Sequence, residues 1–301
     1  MLELRTKTHP LKLREFIFFG CHILFICILG YCLELYEIRI SHPKYEDIVS
    51  VYHFIPPAFV ILTLVLSVSF HEVGHAFFAF LGGDWSVRGY GYLTFDFRKY
   101  IHPVLTIIFP LFFYILGGLP IPGGAVHIRF RYIKSFFMRI LTHLGGATGN
   151  AFFIFILILV KKILALNPDT NSLAFLPYID FIIYLNVLMI LFNLIPLPPL
   201  DGFSFILELF PDNVAEALRR TGNQFGFFLV AYLIFIDNPL IHFIWQQTET
   251  ISLYLGCEMR NIDEGRRLAS FLHLQGLHYE DVSNYYNEAV NFFKNIIKNY
   301  Q

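Results

Sequence analysis

Apolar residues in this chain fall in long, nearly unbroken runs rather than in the short alternations of a soluble domain. Strong runs cover about 16–35, 54–81, 140–160, 178–195 and 225–245, and a weaker one covers 104–119. A helix needs about 20 apolar residues to cross the hydrocarbon layer. The strong runs reach that length, whereas 104–119 is short and contains Pro110. The pattern predicts an α-helical polytopic membrane protein with five to six apolar segments. Composition agrees: 56% of the 301 residues are hydrophobic and 15% are charged, against about 25% charged in a soluble domain. Mean hydropathy is +0.57.

Charge then sets direction. Arg5, Lys7, Lys12 and Arg14 precede the first run, and Glu34, Glu37, Glu46 and Asp47 follow it. Positive charge favours the cytoplasmic side, so the N-terminus is expected inside and the second run is expected to travel inward. The net charge of −1 provides no basic field for nucleic acid. Three of the four cysteines, Cys21, Cys27 and Cys32, sit in the first apolar run and Cys257 stands alone, which is not a disulfide framework.

Between the second and later runs the rhythm changes. Leu93, Phe95 and Phe97 alternate with Tyr92, Thr94 and Asp96, which is the period of a strand. A small membrane-associated β-hairpin is expected here, either as an ordinary interfacial element or as an edge that pairs with an extended peptide, with Tyr92 and Thr94 on it. A basic segment follows (Arg129, Arg131, Lys134, Arg139), then Gly145-Gly146-Ala147-Thr148-Gly149-Asn150 at the start of the next strong run. Small residues there allow close helix packing. Asn150 needs a polar partner, which is either another helix or the chemistry of a site.

The run 178–195 ends in Asn193-Leu-Ile-Pro-Leu-Pro-Pro-Leu-Asp201-Gly202. Three prolines in four positions cannot continue a helix. Unwound backbone at membrane depth is tolerated only inside protein or beside a wet cavity. The last run is interrupted at Asp237-Asn238-Pro239, and 247–301 reads as a soluble helical tail, a surface for a partner, in which His273 and His278 belong to no ligand cluster. The expected organisation is an N-terminal segment with the first span and external loop (1–53), a membrane core (54–202), an amphipathic segment and last span (203–246), and the tail (247–301).

Within the second run stands His71-Glu72-Val73-Gly74-His75. On a helix the two histidines share a face and can hold one metal ion, with Glu72 beside it as proton carrier. Ionisable groups inside a span are costly and point to function. A helix climbs about 9 Å from His75 to Leu81, so the metal would lie in the inner half of the bilayer. Asp201, held at the proline break, is either a plain helix terminator or a third ligand.

The HEVGH stretch together with NLIPLPPLDG resembles the site-2 protease family of intramembrane zinc metalloproteases. The resemblance covers about 56–202. It is to the compact core, with no insert long enough for a PDZ domain and no tail resembling a CBS pair. It implies one zinc per chain held by His71, His75 and Asp201. It also implies Glu72 as general base and later acid, and Asn193 as donor to the tetrahedral oxyanion. Tyr92, Thr94 and Asn150 would meet the substrate, a transmembrane segment of another protein. A zinc-binding membrane protein or transporter without proteolysis is the alternative, although simple binding would not require Glu72. A zincin with a glutamate as third ligand is a further class, for which Glu208 is the nearest candidate after Asp201.

Crossing number constrains this further. If Asp201 is to meet His71 and His75, one full crossing must lie between their spans. The run 140–160 is then the crossing and 104–119 is re-entrant or interfacial. Lys161 and Lys162 fall outside, against the charge rule.

Overall fold

The computed structural model describes residues 16–40, 55–100, 125–166, 175–235 and 238–269. Within them the chain is helical: α1 (Ile17–Ile40), α2 (Ile55–Gly82), α3 (Phe136–His143), α4 (Gly145–Ala165), α5 (Leu176–Asn193), α6 (Asp201–Leu207), α7 (Asp212–Phe235), α8 (Pro239–Tyr254) and α9 (Met259–Ala269). Three of these, α2, α4 and α5, are long and apolar enough to cross a membrane, and Ile17–Leu33 of α1 is a shorter apolar stretch. The segments 1–15, 104–119 and 270–301, with His273 and His278, lie outside the described residues.

α2 carries Pro56 and Pro57 in its first turn, where the missing N–H groups have no helical partner to lose. Its 28 residues span about 42 Å. The helix stops at Gly83, whose φ of 111° suits the left-handed residue that closes a helix. α5 is the hub. Every residue from Tyr178 to Met189 is buried, so it shows no polar face, as befits a helix enclosed on all sides. α2, α4, α8 and α9 pack around it.

Two polar contacts cross this core. The Ser67 hydroxyl of α2 donates to Asn186 Oδ1 of α5, and Asn186 Nδ2 donates to the Ile182 carbonyl at 2.8 Å. At the start of α5, Asp180 is fully buried. Its Oδ1 accepts from Lys161 Nζ at 2.6 Å. Its Oδ2 accepts from the Glu258 amide at 3.1 Å and from Asn261 Nδ2 at 2.9 Å. Lys161 is therefore paired with a buried carboxylate. The same network fastens the start of α9 to α5. α8 runs through position 247 without a break.

Two expectations are corrected. Among the described residues there is no β-strand, and 90–97 is a series of turns. Gly91 and Phe95 both have positive φ (78° and 54°), which strand geometry excludes. The Thr94 hydroxyl donates to the Gly91 carbonyl at 2.7 Å, and the Tyr100 hydroxyl donates to the Tyr92 carbonyl at 2.8 Å. Arg98 pairs with Asp96 at 2.7 Å, and hydrogen bonding from its guanidinium holds that carboxyl below the usual carboxylate range. The alternation marks which side chains the turns bury, Thr94 and Asp96 among them, and not a pleat.

The second correction concerns the run 140–160. It divides at Leu144 into α3 and α4. α3 is capped by Ser135, whose Oγ accepts from the Met138 amide. α4 starts with glycines pressed on α2: a Cβ at Gly145 would come within 2.7 Å of the His75 Cα, and one at Gly149 would strike the Phe70 carbonyl. The small residues do permit the close helix packing expected of them. The last run also splits, with Asn238 capping α8 by accepting from the Ile241 amide at 3.0 Å.

Candidate metal centre

α2 sets the first two corners. His71 and His75 are one turn apart and both 7% exposed, with their Nε2 atoms 3.2 Å from each other. The third corner arrives from the proline break. After α5 the chain turns through Leu197 N–H to Ile195 O (2.8 Å) and Leu200 N–H to Leu197 O (2.9 Å). Gly202 is folded so closely against Leu194 and Ile195 that a Cβ would strike their carbonyls. That turn delivers Asp201, whose Oδ2 lies 3.2 Å from each histidine Nε2.

Three ligand atoms thus form an equilateral triangle of side 3.2 Å. A tetrahedron of that edge has its centre about 2.0 Å from each corner, the bond length of zinc to imidazole nitrogen and carboxylate oxygen. Two imidazoles and a carboxylate are also a donor set zinc accepts, with the fourth vertex left for a reactant. The residues fit the ion.

Neighbours hold the imidazoles in place. His75 Nδ1 lies 2.7 Å from the Thr142 carbonyl. A carbonyl can only accept, so Nδ1 carries the hydrogen and Nε2 keeps its lone pair for the metal. Gly146 of α4 lies directly against both rings, where a Cβ would collide with His71 and His75. Glu72 is 4% exposed, and the backbone amide of Val126 faces its carboxylate. The Val126 segment is tied down on both sides. The Ala125 amide donates to the Tyr100 carbonyl at 3.1 Å, and the Arg129 amide donates to Asp84 Oδ2 at 2.7 Å.

The other expected residues fall in different settings. Asn193 is half-buried at the end of α5. Asn150 is fully buried on α4, one turn beyond Gly146, and both its amide atoms lack a hydrogen-bond partner among the described residues. Thr94 and Tyr92 lie in the turns that replace the strand. Glu208 is outside the three-ligand cluster. Its carboxylate pairs instead with Arg139 and His143. Sequence reasoning gave no site role to Thr142, His143, Arg139 or Asp84. A histidine two residues before the glycine-rich start of α4 was the available signal.

No family model and no solved structure matches the chain significantly. Curated relatives do. Rip2 of Mycobacterium tuberculosis is 33% identical over 187 residues, covering 61% of this chain and 68% of that protein. YwhC of Bacillus subtilis is 29% identical over 192 residues, covering 60% of this chain and 81% of its own length. Rip2 of Mycolicibacterium smegmatis is 33% identical over 178 residues. All three are assigned by name as zinc metalloproteases. With two thirds of the tuberculosis protein matched at that identity, the chain belongs to the site-2 protease family of zinc metalloproteases.

Proposed function

We propose that this protein is an intramembrane zinc-dependent endopeptidase that hydrolyses peptide bonds in or near transmembrane segments of other proteins. The observation that carries the reading is the 3.2 Å triangle of His71, His75 and Asp201, beside a buried Glu72 on an apolar helix.

His71 and His75 through Nε2, and Asp201 through Oδ2, are the groups that would hold zinc. When bound, zinc supplies Lewis acidity toward the scissile carbonyl and makes water more acidic at neutral pH. Glu72 takes a proton from the attacking water and later gives it to the leaving amine. Asn193 donates through its side-chain amide to the oxyanion of the tetrahedral intermediate. Thr142 keeps His75 in the tautomer that binds. Asn150, buried with both amide atoms unpartnered, is the candidate contact for the substrate backbone, and Tyr92 and Thr94, in the turns after α2, are further candidates. The proteolytic core is 54–202. The N-terminus is cytoplasmic and the site lies in the inner half of the bilayer.

An intact helix shields its peptide bonds, so the substrate span must unwind to be cut. Glycine or other weak helix formers in that span should favour cleavage. The test compares the wild-type chain with Glu72→Gln in vesicles containing a single-span substrate. Cleavage by wild type and none by a zinc-loaded Glu72→Gln variant supports proteolysis. Equal zinc binding with no cleavage by either would leave a zinc-binding membrane protein without protease activity.

A further inference from the structure

We propose that Glu208 is a positioning residue for the third metal ligand: by bridging α6 to Arg139 and His143 of α3, it fixes where Asp201 points. The inference rests on the metal-site reading above.

α6 has seven residues, too few to hold a helix without tertiary support. The aim of Asp201 at its first position therefore depends on what secures its two ends. The first end is folded against the Leu194 and Ile195 carbonyls through Gly202. The second end is Glu208, the residue that closes α6. Glu208 Oε2 lies 3.0 Å from Arg139 Nε and Oε1 lies 3.1 Å from His143 Nε2, with only 11% of the Glu208 side chain and 8% of the His143 side chain exposed. This is a protected pair, unlike the Glu216–Arg220 contact on α7, where both side chains are exposed. The His143 ring is itself fixed, stacked on Phe130 with centroids 4.6 Å apart and planes 14° from parallel.

Both partners of Glu208 sit on α3, and so does Thr142, whose carbonyl orients His75 at 2.7 Å. One eight-residue helix thus serves as the reference for two ligands that arrive from different parts of the chain. His75 is set through a carbonyl and Asp201 through a carboxylate at the far end of α6. Groups that orient metal ligands from behind, when removed, reduce metal affinity by about ten- to a hundredfold.

The experiment uses the full-length chain in detergent, stripped of metal. Zinc affinity is measured by competition with a chromophoric chelator, and the visible spectrum of the cobalt(II)-loaded protein reports ligand geometry. Glu208→Ala is expected to weaken zinc by about tenfold or more and to alter the cobalt bands, with unchanged helical circular dichroism. Glu216→Ala is expected to change neither. If Glu208→Ala unfolds, Glu208→Gln, which keeps the shape and removes the charge, takes its place, with a smaller loss expected. A folded Glu208 variant with wild-type zinc affinity and an unaltered cobalt spectrum overturns the proposal while leaving the metal site intact. A wild-type chain that binds no zinc, or binds it equally after His71→Ala, overturns the metal reading and this proposal together.

Discussion

Two buried polar clusters lie at opposite ends of α5, and they differ in how their charges are satisfied. At the start of α5 the Asp180 carboxylate meets only donors: Lys161 Nζ, the Glu258 amide and Asn261 Nδ2. Lys161 spends a further hydrogen on the Gly256 carbonyl at 2.7 Å. Donors and acceptors match, and the cluster is complete in protein atoms alone. Beyond the other end, two imidazole nitrogens and a carboxylate oxygen face one another at 3.2 Å. Each of those atoms presents a lone pair in its metal-binding form, and a cation at the centre reconciles them. Buried charge alone is therefore a poor guide to chemistry. What separates a brace from a reactive centre is whether the polar atoms satisfy each other or converge on a third party.

The largest expected effect breaks the reactive side without touching the brace. Glu72→Gln should lower cleavage of a reconstituted single-span substrate by about 10²–10⁴-fold, the usual share of a positioned acid–base group. Bound zinc, measured by elemental analysis, should stay at the wild-type level. Retained turnover would mean that the proton is carried elsewhere.

The brace should fail in the opposite way. Lys161→Met leaves the Asp180 carboxylate buried without its cation, which typically costs about 3–5 kcal/mol. Unfolding in mixed micelles should report that loss, while zinc content in the folded fraction is unchanged. Replacing both partners, Lys161→Met with Asp180→Asn, removes the unpaired charge, keeps an acceptor for the Glu258 amide and Asn261, and should recover part of the stability. A drop in zinc affinity in either variant would mean that the two clusters are coupled through α5.

A smaller effect tests the wall of the metal centre. Gly146→Ala puts a methyl group against both imidazoles, and overpacking of this kind costs about 1–3 kcal/mol. The cost should appear chiefly as weaker zinc binding in the chelator competition. Wild-type affinity would show that α4 yields there. The smallest effect is expected from Ser67→Ala, which removes the hydroxyl bonded to Asn186 between α2 and α5. Interhelical bonds of this type average about 0.6 kcal/mol, to be read as a shift in the unfolding midpoint with metal binding unaffected.

These contrasts also explain what could be read in the sequence. His71 and His75 were legible because the i, i+4 relation is local to one helix. The prolines showed that α5 must end before Asp201, but whether Asp201 was a helix terminator or a ligand was decided only by the family resemblance; the structure sets it at the first position of α6, 3.2 Å from both histidines. The spans α2, α4 and α5 followed from length and apolarity. The strand was misread because alternation records which side chains are buried. In 90–97 the positive φ of Gly91 and Phe95 achieves that burial through turns. The break at Leu144 has no proline to announce it: α3 ends at His143 and α4 starts at Gly145. The pairing of Glu208 with Arg139 and His143 spans more than sixty positions, and no local pattern encodes it. The partner of Lys161, Asp180, lies 19 positions away and was equally hidden from local patterns.

The enclosure of α5 has a consequence in time. A helix whose residues from Tyr178 to Met189 are all buried, with neighbours on every side, releases its amide hydrogens only when the surrounding helices separate. In hydrogen–deuterium exchange this stretch should label last in the molecule. α7, whose outer face carries exposed Phe225, Phe228 and Tyr232, should label far sooner wherever detergent leaves it open to water. The slowest amides would then mark the axis around which both the brace and the metal centre are assembled.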